Sequence, residues 1–126
     1  MKDYSEEIEN CPLASVQKIV HGKWTMVIIY FLSQGTLRFS ELKRKLPNVT
    51  EANLTKELRA LEEYGLVHRE VYREVPPRVE YSLTPIGIKF IPVLEALEQW
   101  AIEYNAPVVP DAPVPSLLIA TNPATL

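Results

Sequence analysis

Residues 50–83 read TEANLTKELRALEEYGLVHREVYREVPPRVEYSL, and within them the spacing of apolar residues changes once. Leu54, Leu58 and Leu61 stand four and three residues apart, the rhythm of a helix buried along one side. Thr50 is suited to cap that helix, Glu51 suits its positive end, and Gly65 supplies the residue that stops it. From Leu66 the period is two. Val67, Val71 and Val75 alternate with charged residues, and after Pro76, Pro77 and Arg78 so do Val79, Tyr81 and Leu83. A one-sided helix running straight into a hairpin is the feature around which the remaining elements arrange themselves.

Upstream, Ser40 is a plausible N-cap for a helix running to Leu46 and ended by Pro47, with Leu42 and Leu46 facing inward. Two short capped helices separated by three or four residues have the lengths of a helix-turn-helix. Leu37 to Phe39 are too few for an independent strand but suit a third strand beside the hairpin. Further back, Pro12 opens a short helix over 13–20 with Leu13, Val16, Ile19 and Val20 on one face. His21-Gly22-Lys23-Trp24 breaks it, and residues 24–34 form an apolar helix stopped by Gly35. Downstream, Thr84 and Pro85 open a long helix through about Tyr104. Ile86, Phe90, Val93, Leu94, Leu97, Trp100 and Ala101 line it, a stripe wider than one small core needs.

That order describes a mainly helical α+β fold, a winged helix-turn-helix with the hairpin as the wing. The expected division is an acidic N-terminal arm over 1–10, a winged-helix domain over 11–104 and a proline-rich tail over 105–126. Within the tail, Leu117 to Ala120 are apolar enough to lie on the domain or on a partner subunit.

Length and composition set limits on function. A chain of 126 residues, 47% hydrophobic and 23% charged, fits one soluble globular domain. A monomer of this size buries about two-thirds of its unfolded-chain surface, so a second subunit would extend its core. The apolar run Met26 to Leu32 is far too short to span a bilayer. No basic stretch followed by an apolar run opens the chain, which speaks against secretion and membrane association. Cys11, the only cysteine, has no partner for a disulfide within the chain, in keeping with a reducing cytoplasm. Net charge is −3, yet residues 36–89 hold ten Lys and Arg against eight Asp and Glu, while residues 90–126 hold four acids and no Lys or Arg. The basic bias lies in the middle and permits a nucleic-acid partner. Enzymatic chemistry has little support. His21 and His68 are the only histidines, far apart and without a nucleophile or metal set, and no glycine-rich phosphate loop or cofactor motif is present.

With Leu54, Leu58 and Leu61 inward, Ala52, Lys56, Arg59 and Glu63 point outward, and Asn53 and Thr55 flank the N-terminal end that leads into a major groove. Lys56 and Arg59 suit a guanine edge or a phosphate, and Asn53 suits adenine. The alternative is a solvated face with Glu57, Glu62 and Glu63 as ion-pair partners. Arg78, stiffened by two prolines at the hairpin tip, is placed to reach a minor groove or a phosphate beside the helix. Arg38 and Ser40 are candidates for phosphate, Ser40 through the N–H groups of its helix start; Arg38 has an ion pair with an acid as its alternative. Lys43 and Arg44 are weaker candidates. Cys11, just before Pro12, is the candidate for redox sensing, by a disulfide to a second subunit or by uptake of an electrophile. Its alternative is a small, inert, partly buried residue.

These residues together resemble the HxlR family of bacterial and archaeal winged helix-turn-helix transcriptional regulators, relatives of the MarR group. Four stretches carry the resemblance: CPLASVQKIVHGKWTMVIIYFL, LRFSELKRKLPNVTEANLTKELRALEEYGLVHRE, VYREVPPRVEYSLTPIG and the helix through LEALEQWA, about residues 11–103. The resemblance implies a homodimer bound to an inverted repeat of double-stranded DNA, paired through the first and last helices. Leu13, Val16, Phe90, Val93, Leu94, Leu97, Trp100 and Ala101 would then form the interface. It implies that Lys56 and Arg59 lie on the recognition helix and that Arg78 is the wing arginine. Some members sense oxidants or electrophiles through a cysteine at the position of Cys11, and members both repress and activate. A small-ligand effector acting beside an inert cysteine, or a winged helix that binds protein, are the alternatives. His21 stands where the family often has glycine, which implies either a stiffer bend or a local role for the imidazole.

Overall fold

A computed structural model describes Glu7 and residues 10–106. The expectations for most of the acidic arm and for the tail beyond Ala106, Leu117 to Ala120 included, lie outside the described residues. The chain divides after Ile91 into two compact units.

Helix α1 spans Pro12–Val20, with Pro12 in its first turn, where the missing N–H is no loss. His21 follows in the right-handed helical region (φ −70°, ψ −20°), so the bend needs no glycine there. Its Nδ1–H donates to the Lys18 carbonyl at 2.6 Å, satisfying one of the orphan acceptors at the helix end. Of the two roles open to His21, the local one is what the structure shows.

Helix α2 spans Thr25–Leu32 and buries Thr25, Ile28, Ile29 and Leu32. Strand β1 is Leu37–Arg38, and helix α3 follows at once over Phe39–Lys45. Ser40 therefore does not cap α3 but lies inside its first turn. The cap position is Arg38, held extended (φ −83°, ψ 161°) by its pairing in the sheet, and the Glu41 carboxylate accepts from the Arg38 N–H at 2.9 Å. Phe39 accordingly belongs to the helix and not to the strand.

Helix α4 spans Glu51–Glu63. Thr50 caps it, its hydroxyl accepting from the Asn53 N–H at 3.1 Å. Gly65, at φ +80°, ends it. The Leu66 N–H bonds the Leu61 carbonyl at 3.0 Å and the Gly65 N–H bonds the Glu62 carbonyl at 2.9 Å, the paired bonds of a Schellman motif. Leu54, Leu58 and Leu61 are almost fully buried with Ile28, Ile29, Leu42 and Val49. Each such side chain contributes about 1.5–3 kcal/mol by leaving water.

The hairpin is β2, Val67–Tyr72, and β3, Arg78–Leu83, and the three strands are ordered β1-β3-β2, all antiparallel. Pairing stops at Tyr72 opposite Arg78, because Pro76 and Pro77 have no N–H to give to a ladder. Val75 thus stands fully exposed in the loop, outside the alternation expected of it, and Arg78 opens β3 instead of sitting at the tip.

Thr84 closes the sheet and starts helix α5, Pro85–Lys89, by accepting from the Gly87 N–H at 3.2 Å. The same hydroxyl donates to the Gly65 carbonyl at 2.6 Å. Helix α6, Ile91–Asn105, is a separate helix and not the continuation that the sequence suggested. Pro92 is the reason, since it cannot donate to the Ile88 carbonyl and its ring would clash with it.

One contact joins α2 to α4. The buried Thr25 hydroxyl donates to Glu57 Oε2 at 2.9 Å. Glu57 is therefore turned inward, not out among the solvated carboxylates. Gly22 lies against both groups, and a Cβ there would collide with the Glu57 carboxylate and the Thr25 hydroxyl. Gly22→Ala is expected to lose about 1–3 kcal/mol of stability through this overpacking, read as a lower urea midpoint.

Candidate nucleic-acid interface

The outward side of α4 is free of structural obligations. Ala52, Asn53, Lys56, Arg59 and Glu63 are exposed and Thr55 is half-buried, the arrangement expected from the leucine spacing. Asn53 gives its backbone N–H to the Thr50 cap and keeps its side chain at the surface near the helix start. Between this side of α4 and the sheet runs an open groove of about 980 Å³. Ala52, Thr55 and Arg59 line it from the helix, and Phe39, Arg69, Val79 and Tyr81 from the other wall.

Strand parity decides which wing residues share that groove. Side chains alternate between the two faces of a sheet, and residues directly opposite one another share a face. Arg69 pairs with Tyr81, and Val71 with Val79, so all four lie on the groove face, as does Leu37 through its pairing with Tyr81. The opposite face carries Arg38, Glu70, Tyr72, Arg78 and Glu80, with Glu70 opposite Glu80 and Tyr72 opposite Arg78.

Arg78 therefore lies on the sheet face turned away from the α4 groove. Its guanidinium lies 4.1 Å from the Tyr72 ring centre, with Glu74 at 3.3 Å and Glu80 at 3.7 Å. The stacked cation and two carboxylates form a self-contained cluster. The Glu80 carboxylate raises the Tyr72 phenol above its ordinary pKa, with smaller contributions from burial and from Glu70. The phenol therefore stays protonated through the neutral range. Arg73, in the loop between the strands, is the exposed cation nearest the tip.

The remaining candidates scatter. Arg38 and Ser40 are exposed at the start of α3, and Arg44 is exposed on it. Lys43 is half-buried and its ammonium donates to the Pro47 carbonyl at 3.4 Å, turned toward its own loop. Neighbouring Lys45 lies 5.4 Å from the Phe31 ring centre. Cys11 occupies the cap position of α1, half-buried, with its carbonyl accepting from the Ala14 N–H at 3.0 Å. Arg69 was not singled out by sequence reasoning. The signal for it was present, because the period that buries Val67 places the residue two positions on along the same face.

Among the described residues no group of three or more His, Cys, Asp or Glu is placed to hold a metal ion, and no helix is long and apolar enough to cross a membrane.

A family model described as HxlR-like helix-turn-helix matches residues 19–108. The chain belongs to this family of transcriptional regulators. It is 43% identical over 104 residues to the HTH-type transcriptional regulator YdeP of Bacillus subtilis, covering 82% of this chain and 81% of that protein. YtfH of Escherichia coli, also an HTH-type transcriptional regulator, is 46% identical over 101 residues, covering 80% and 79%. Among solved structures, the redox regulator HypR in its oxidised form superposes with a TM-score of 0.70 at 42% identity, covering 78% of this chain and all of that one. The reduced form of the transcriptional regulator YodB from B. subtilis gives a TM-score of 0.69 at 31% identity, covering 77% and 96%. The mainly helical fold with its hairpin wing is that of a DNA-binding winged helix-turn-helix regulator, as the sequence indicated, and the family is not one of enzymes.

Lys56→Ala and Arg59→Ala should each lower duplex affinity while leaving the fold intact. If the contact is to phosphate, the slope of log affinity against log salt falls by about 1 for that variant, as read by fluorescence anisotropy across a salt series.

Proposed function

We propose that the protein acts as a homodimer on an inverted-repeat operator, each subunit inserting α4 into a major groove, and that it regulates transcription by occupying a promoter. The observation that carries the dimer is on α6. Val93, Leu97, Trp100 and Tyr104 are all exposed, at spacings of four, three and four. Such spacing suits a helix that pairs with another helix, and Trp100 and Tyr104 extend the stripe as a stacked pair with ring centres 4.9 Å apart. On α1, Leu13 and Val16 are exposed as well. Phe90, Leu94 and Ala101 are half-buried and complete the set of proposed interface residues. Ala52, Asn53, Thr55, Lys56 and Arg59 form the reading surface of α4, with Arg38, Ser40 and Arg44 as flanking contacts to the DNA backbone.

Two-fold symmetry in the protein requires two-fold symmetry in its site, with half-sites about 34 Å apart or a multiple of that. Selection of bound sequences from random duplex DNA should therefore recover an inverted repeat. Leu97→Glu should convert the dimer to a monomer by light scattering and abolish the repeat. A motif without symmetry, or a Leu97→Glu dimer, would contradict the reading.

Thiol chemistry at Cys11 is the regulatory reading best supported, since the solved relatives include the redox regulator HypR in oxidised form and a diamide-treated YodB. Cys11 is only partly covered and begins the helix that carries Leu13 and Val16, so a modification there reaches the proposed dimer surface directly. Diamide should release the parent protein from DNA and leave Cys11→Ser bound. Equal release of both would sink the sensor role.

A further inference from the structure

The two wing arginines differ in what already surrounds them. Arg78, on the face turned away from the α4 groove, stacks on Tyr72 with Glu74 and Glu80 beside it. Its charge is largely answered within the hairpin. Arg69 lies on the groove face opposite Tyr81 and lines the same groove as Ala52, Thr55 and Arg59. Among the described residues no carboxylate lies within 4.0 Å of Arg59 or Arg69, while Arg78 has two.

We infer that Arg69 is the wing's contact to a DNA backbone phosphate, taken across the groove from Arg59, and that Arg78 is a positioning residue that stiffens the hairpin. The inference rests on α4 being the helix that enters the major groove. A helix seated there leaves the sugar-phosphate strand bordering that groove to pass between the helix and the wing. That passage is the groove of about 980 Å³, and small Ala52 and Thr55 leave room on its helix side.

The charges in the groove make Arg69 more than an optional contact. Its lining also holds Glu51, Glu62 and Glu63, so two arginines oppose three carboxylates. Loss of Arg69 would leave a single cation there. A guanidinium is suited to the site because it offers a planar fork of donors to phosphate oxygens and is always charged.

The test uses the full chain and a mixed-sequence duplex, to which phosphate contacts bind without regard to sequence. Affinity is measured over a salt series for the parent, Arg69→Ala, Arg69→Lys and Arg59→Ala, with circular dichroism confirming that each folds. Arg69→Ala should reduce the slope of log affinity against log salt by about 1, and Arg69→Lys should retain it. An unchanged slope in Arg69→Ala overturns the assignment. So does an equal loss in the alanine and lysine variants, which would mark a role other than charge. The Arg59→Ala arm separates the two readings: a reduced slope there with an unchanged one in Arg69→Ala keeps α4 in the groove and removes only Arg69. A parent protein with no salt-dependent affinity would overturn both.

Discussion

The bond from the Thr25 hydroxyl to the Glu57 carboxylate ties α4 to α2, and the orientation of the outward side of α4 depends on it. The buried leucines set which side of α4 faces the core, and the hydrogen bond adds a directional contact to that packing. A hydrogen bond has direction and a length, and it contributes about 0.5–1.5 kcal/mol when its geometry is kept. Thr25 is buried at the first turn of α2, and Gly22 leaves the space that lets Glu57 reach it. With Glu57 held inward, the 100° step of the helix sets the azimuth of Ala52, Lys56 and Arg59. The outward side of α4 is therefore oriented from behind, by a contact it does not itself contain.

A second constraint is the parity of the hairpin. Once Val67 is buried, every other position of β2 is assigned to one face, and the pairing register carries the assignment to β3. The two faces hold different chemistry. One carries Arg69 among Val67, Val71, Val79 and Tyr81; the other carries an arginine already surrounded by tyrosine and glutamates. The same residue type thus meets different surroundings on the two sides of a single two-stranded ribbon, and only the register tells which is which.

Most of the fold was legible in the sequence because its signals are local. Thr50, Gly65 and Thr84 act at the positions where their chemistry suggested, and the leucine spacing gave the inward side of α4. The errors came where a local signal met a longer-range one. Ser40 is a good cap by residue type, but pairing of Arg38 in the sheet placed the boundary two residues earlier. The apolar stripe after Pro85 looked continuous because periodicity ignores the missing N–H of Pro92. Glu57 resembled any solvated helix carboxylate, since its partner lies 32 residues away. The groove position of Arg69 followed only from counting faces across the hairpin.

The outward side of α4 has a consequence for how such a protein can diversify. None of Ala52, Asn53, Lys56 and Arg59 lends a side chain to the core, and the helix is held by its cap, its leucines, its Schellman end and Glu57. Substitutions on that side leave untouched the scaffold that presents it. The fold thereby separates the displayed surface from the framework that holds it. A lineage can alter this surface one residue at a time while the folded state remains the same.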